Sequence, residues 1–144
     1  MDLDCVLAAI PYSAPLGLRA QVEPGRPVRV EMPFARGVAN YIGTAHAGAL
    51  FTLAEAAAGI AAHCLVEDLG GIVLLREATV RYTRRAESDM TAAAAIAADG
   101  EGAARAAFER DRRGEASVAV AVTDATGSSV FDGTFVYALR SRMP

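Results

Sequence analysis

The chain has no lysine and no tryptophan, only two histidines and two cysteines, and aromatic residues fill 6% of its 144 positions. Without lysine there is no ammonium for a Schiff base, a pyridoxal site or a Walker-type phosphate loop, so those enzyme classes are excluded. All 14 cationic side chains are arginine, set against 17 acids for a net charge of −3. A general nucleic-acid binder needs surplus positive charge to displace counterions, and none is available here. Cys5 and Cys64 match no metal or redox spacing and are too few for a disulfide framework. His63 adjoins Cys64, but two ligands do not complete a metal site, so no metal is expected. The acidic start Met1-Asp2-Leu3-Asp4 lacks the basic opening of a secretory signal, which gives a cytoplasmic expectation.

What is present suits a single domain over residues 1–144. Hydrophobic residues make up 53% and charged residues 22%, enough to bury a core. Leu3, Val6, Leu7 and Ile10 fall at helical spacing and Pro11 stops them, which predicts a short helix over 2–10 covering one end of the core. Alternation over 16–23 and 28–32 predicts a hairpin turned at Pro24-Gly25-Arg26-Pro27. From Ala45 to Val66 nearly every residue is apolar, and Glu55 stands alone near the middle. A bilayer span would bear about 2.5–3.5 kcal/mol for that carboxylate, which weighs against it. A helix apolar all round is instead one that other elements wrap on every side. Strands are predicted over 72–82, 89–98, 116–123 and 129–139, with a solvated helix over 99–114 that Asp99 caps and Gly114 ends. Within it Glu101/Arg105, Arg105/Glu109 and Glu109/Arg113 are spaced for ion pairs. One long helix and an antiparallel sheet make the fold class α+β.

A polar group in apolar surroundings needs a partner or a use, and Asn40, His46 and Glu55 qualify. The helix opens near His46, so His46, Ala47 and Gly48 fall in its first turn. Amides there lack internal partners and share the positive end of the macrodipole, which suits an oxygen that gains negative charge. Glu55 follows Gly48 by seven residues, on nearly the same face but about 10.5 Å along the axis. One carbonyl carbon cannot touch both. A helix start and a carboxylate acting on one carbonyl must then come from two copies of the chain, side by side about a twofold axis.

Asn40, the His46-Ala47-Gly48 start and Glu55 nine residues after the histidine resemble the signature of hotdog-fold acyl-CoA thioesterases. The likeness is to the phenylacetate-pathway (PaaI-like) branch, and more closely to its relatives of unassigned function that carry Glu. Val80-Arg-Tyr-Thr-Arg-Arg-Ala86 is similar to that family's strand ending in aromatic-x-Arg-Pro-Ala. The resemblance implies a hotdog fold, an antiparallel sheet wrapped around one long helix, and hydrolysis of an acyl-CoA or acyl-carrier-protein thioester. It implies Glu55 as base or nucleophile, Ala47 and Gly48 as the oxyanion hole, Asn40 positioning water or thioester, and His46 orienting the carbonyl or the loop. No cofactor is implied beyond the coenzyme A of the substrate, and a homodimer or homotetramer is. Arg84 and Arg85 would meet the nucleotide phosphates, which arginine forks suit, and Thr79 is the neighbouring hydroxyl on the substrate-binding side.

Several residues depart from the pattern. Ala47 replaces the first Gly of the usual His-Gly-Gly, Glu55 stands where this branch commonly has Asp, and Arg85 replaces Pro. The hydroxyl that related enzymes add has no evident counterpart, since Leu75 and Gly59 stand where Ser or Thr would be sought. Two other readings stay open: a dehydratase of 3-hydroxyacyl thioesters, and a non-catalytic module binding acyl groups or lipids.

Overall fold

The computed structural model describes residues 2–142. Its elements run α1 (Leu3–Ala8), β1 (Arg19–Gln21), β2 (Val28–Met32), α2 (Ala47–Cys64), β3 (Gly71–Tyr82), β4 (Met90–Ala95), α3 (Ala98–Asp111), β5 (Arg113–Thr123) and β6 (Ser129–Ser141). The six strands form one sheet in the order β1-β2-β4-β5-β6-β3, every pairing antiparallel. Alternation puts Val28, Val30 and Met32 of β2, Met90, Ala92 and Ala94 of β4, and Val118, Val120 and Val122 of β5 in the core. The sheet lays this face against α2, which touches β2, β3, β4, β5 and β6. The result is the α+β arrangement the sequence predicts.

Four local expectations are corrected. The first strand is three residues, not eight, because Pro15 and a left-handed Gly17 (φ 66°) turn the chain through a 3-10 helix at Ala14–Leu16. The long helix is not wrapped on every side. Leu53, Ala54, Ala57, Ala58 and Ala62 are buried against the sheet, while Phe51, Glu55, Ala56, Gly59, Ile60 and His63 form a half-buried stripe on the other side. The 99–114 helix starts after Ala97 with no side-chain cap, and Asp99 accepts only from the Gly100 amide. It ends on Arg112 in the left-handed region (φ 54°), and Gly114 already lies in β5.

That helix, α3, is also less solvated than its charges suggest. Phe108 and Ala104 are buried, and of the three expected ion pairs only Arg105–Glu109 forms among the described residues. Arg105 instead turns its fork onto Asp68 at 2.8 and 2.7 Å, next to the C-terminal end of α2. Arg112 is held in its left-handed conformation by bonds to the Leu69 carbonyl and Ser141, with its guanidinium 4.7 Å over the Phe108 ring.

Candidate functional site

The chain enters α2 through a tight loop that Asn40 holds together. The Asn40 amide donates to the Thr44 carbonyl at 2.7 Å, its Oδ1 accepts from the Thr44 and Ile42 amides, and its Nδ2 donates to Thr44 Oγ1 at 2.8 Å. This is an Asx-type clamp, which a short side chain with both donor and acceptor ends can close. Most of the polar capacity of Asn40 is therefore spent inside its own loop. The loop is anchored at its exit, where the Ala45 amide donates to the Ala86 carbonyl and the His46 amide to the Val38 carbonyl.

His46 is the N-cap of α2 and lies just outside its first turn. Its Nδ1 accepts from the Gly48 amide at 2.8 Å. A Cβ on Gly48 would come 3.1 Å from that nitrogen, so the absence of a side chain there makes room for the cap. One of the two expected oxyanion donors, the Gly48 N–H, is thus already engaged, and the exposed Ala47 N–H is the first-turn amide left without a protein acceptor among the described residues. Tyr82, at the end of β3, donates its hydroxyl to the Ala47 carbonyl at 3.1 Å and packs edge-on against Phe131.

Glu55 lies two turns further along the half-buried stripe of α2. It is half-buried rather than sunk in the core, and no arginine among the described residues pairs with it. Its Oε1 accepts from the Tyr137 hydroxyl at 2.8 Å, and the same hydroxyl lies 3.0 Å from the Glu55 backbone carbonyl. Burial, and next the Glu55 charge, push the Tyr137 phenol far above its ordinary value, so the hydroxyl stays protonated and donates. Glu55 opens into a cavity of about 550 Å³ between α1, α2 and β3. Val6 of α1 and Ile10 just after it, Phe51 and Ile60 of α2, and Val73 and Leu75 of β3 give its walls an apolar character. His46, Ala47 and Gly48 do not line it.

The remaining sequence-predicted residues divide. Arg84 and Arg85 are exposed on the loop after β3, just before Ala86, whose carbonyl ties that loop to Ala45 at the mouth of α2; Arg84 also reaches Ser128 Oγ at 3.2 Å. Thr79 is not with the others. It pairs with Thr134 in the β3–β6 register, whereas its neighbours Ala78 and Val80 pair with the buried Phe135 and with Gly133 on the α2 side, so Thr79 faces away from Glu55. The structure thus gathers Asn40, His46, Ala47 and Gly48 at the start of α2, sets Arg84 and Arg85 beside them, and leaves Glu55 apart in the groove.

Sequence reasoning missed Tyr137 and Tyr82. Tyr137 falls on the buried face of an alternating strand, and a phenol in that position needs an acceptor. That requirement, together with a lone carboxylate on the facing helix, was the available signal.

A family model for a domain of unknown function, DUF4442, matches residues 4–139. Among solved structures, a Pseudomonas aeruginosa protein of unknown function, called a probable thioesterase, is 30% identical with a TM-score of 0.79, covering 96% of this chain and 93% of that one. A Haemophilus influenzae thioesterase is 15% identical (TM-score 0.81; 99% and 90% covered), and a Chlorobaculum tepidum protein of unknown function is 17% identical (TM-score 0.86; 97% and 93% covered). No curated protein matches. With the long helix lying across an antiparallel sheet and these structures superposing over nearly its whole length, the chain has the hotdog fold and belongs to the DUF4442 family.

Proposed function

We propose that the protein is a homodimeric thioesterase that hydrolyses an acyl-CoA or acyl-carrier-protein thioester to free acid and thiol. The observation that carries this reading is Glu55: a carboxylate with no cationic partner among the described residues, held by a phenol and opening into an apolar groove. A structural glutamate in an apolar helix would be matched by an arginine; one kept for chemistry needs a free oxygen and a dry approach. In the proposed reaction the acyl chain lies in the groove and Glu55 takes a proton from water. The water oxygen attacks the thioester carbonyl carbon, the C–S bond breaks, and the departing sulfur takes up the proton that Glu55 accepted, which restores the carboxylate.

The developing oxyanion is met by the Ala47 amide at the positive end of α2 in a second copy. Within one chain the helix start lies outside the Glu55 groove. Two features support a partner there. Among the described residues the twelve-residue strand β3 pairs only with β6, leaving its outer edge open, and Leu74 and Leu75 on it are 56% and 38% exposed. Leu75 is on the α2 side of the strand, where Phe51, Ala56 and Ile60 on the half-buried stripe continue its apolar surface, while Leu74 lies on the opposite face. Arg84 and Arg85, beside the mouth of the helix, suit the phosphates of coenzyme A.

A panel of acyl-CoA thioesters followed by thiol release tests the reading. Wild type should turn over at least one member, and Glu55→Gln, which keeps the shape and an acceptor for Tyr137, should lose about 10²- to 10⁴-fold in kcat while remaining folded and dimeric. Full turnover by Glu55→Gln would remove the mechanism. Tight retention of an acyl-CoA by wild type without thiol release would mark an acyl-binding module instead.

A further inference from the structure

Glu55 and Tyr137 are joined through a gap in the helix. Gly59, one turn after Glu55, presents no side chain to the sheet, and a Cβ there would lie 3.4 Å from the Tyr137 hydroxyl oxygen and 3.7 Å from Glu55 Oε1. The phenol reaches up through that space from β6, with its ring buried in the core and its oxygen between the side-chain and backbone oxygens of one residue. A methyl there would sit at ordinary contact distance, while a larger side chain would press on the hydroxyl and the carboxylate.

We infer that Tyr137 is a positioning residue for Glu55. The inference rests on the thioesterase reading above and supplies the supporting hydroxyl that the sequence does not reveal. The physical case is one of freedom. A glutamate side chain on a groove wall has several rotamers, and without a partner it samples them. The Tyr137 proton can bind one oxygen strongly. By taking Oε1 and leaning on the backbone carbonyl of the same residue, the hydroxyl folds the carboxylate back toward its own helix. Oε2 has no protein partner among the described residues and is the oxygen left to meet water. The ring of Tyr137 is fixed by the sheet and its hydroxyl remains a donor, so the carboxylate is held by a rigid element rather than by solvent. This role does not require Tyr137 to touch the substrate.

The test is Tyr137→Phe, which keeps the buried ring and deletes only the oxygen. With the best acyl-CoA from the panel, kcat should fall roughly tenfold to a hundredfold, the scale of losing a well-oriented reacting group, while KM stays within about twofold. A second variant, Gly59→Val, keeps the tyrosine and fills the vacancy beside its hydroxyl; it should show the same loss in kcat. Loss of KM and kcat together in Tyr137→Phe, or wild-type kcat in either variant, overturns the inference and leaves the thioesterase reading standing. If Tyr137→Phe fails to fold, Gly59→Val decides by kcat alone, because Gly59 also lines the groove and its KM can shift for that reason. A wild type that releases no thiol from any member of the panel overturns the reading and this inference together.

Discussion

At the scale of single residues, His46 carries the clearest difference between what a motif suggests and what the side chain does. Its ring accepts from the Gly48 amide and so serves first as the cap of α2. A cap contributes about 1 kcal/mol, because an otherwise unpaired helix amide gains an acceptor. His46→Ala should therefore lower stability by about that amount, measured by urea titration, and His46→Asn or His46→Ser, which carry a short acceptor at the same position, should recover most of it. If neither polar variant recovers stability, capping is not what His46 supplies. Asn40 is similar: its side chain closes the 40–44 loop that delivers His46 to the cap. The sequence made these residues visible because polar groups in apolar surroundings stand out. It could not show that Asn40 and His46 satisfy neighbours within four residues, since an Asx turn and an N-cap leave the same letters as a catalytic pair.

At the scale of elements, period decides more than propensity. The run Met90–Ala95 is rich in alanine, the best helix former, yet it forms a strand, with Met90, Ala92 and Ala94 buried beneath α2 and Thr91 and Ala93 on the other face. Small side chains there let the helix lie close to the sheet. α3 shows the converse, for its evenly spaced charges promise a helix paired along its own surface, while Arg105 and Arg112 reach across to Asp68 and Leu69 and tie it to the end of α2. Partners distant in the chain are not legible in local spacing. The same junction fixes the start of β3. A Cβ on Gly71 would lie 2.5 Å from Val66 Cβ and 2.9 Å from the Phe108 ring. Gly71→Ala should cost about 1–3 kcal/mol by overpacking, read from the urea midpoint. A neutral result would mean that Val66 and Phe108 can yield around the added methyl.

At the scale of the whole molecule, the alternating strands and the apolar helix were enough to predict one long helix against an antiparallel sheet in an α+β fold, whereas the open half of that helix, expected to be wrapped, was not foreseeable. A sequence marks which residues avoid water without saying whether the same chain or another copy covers them. The distinction bears on function, because Glu55 and the Ala47 amide stand about 12 Å apart along one axis, so in the proposed reaction a second copy brings its Ala47 amide to a given Glu55. Leu74 allows this to be tested apart from the groove: it is exposed on β3 and absent from the cavity lining. If the proposed dimer pairs two β3 edges, Leu74→Arg would set new like charges near each other there, which disfavours edge pairing. The variant should scatter light at half the mass of the wild type, keep its circular dichroism, and lose thiol release in proportion to the monomer fraction, recovering as protein concentration is raised. A folded monomer with undiminished turnover would show that one chain completes the site alone, and the composite geometry would have to be abandoned.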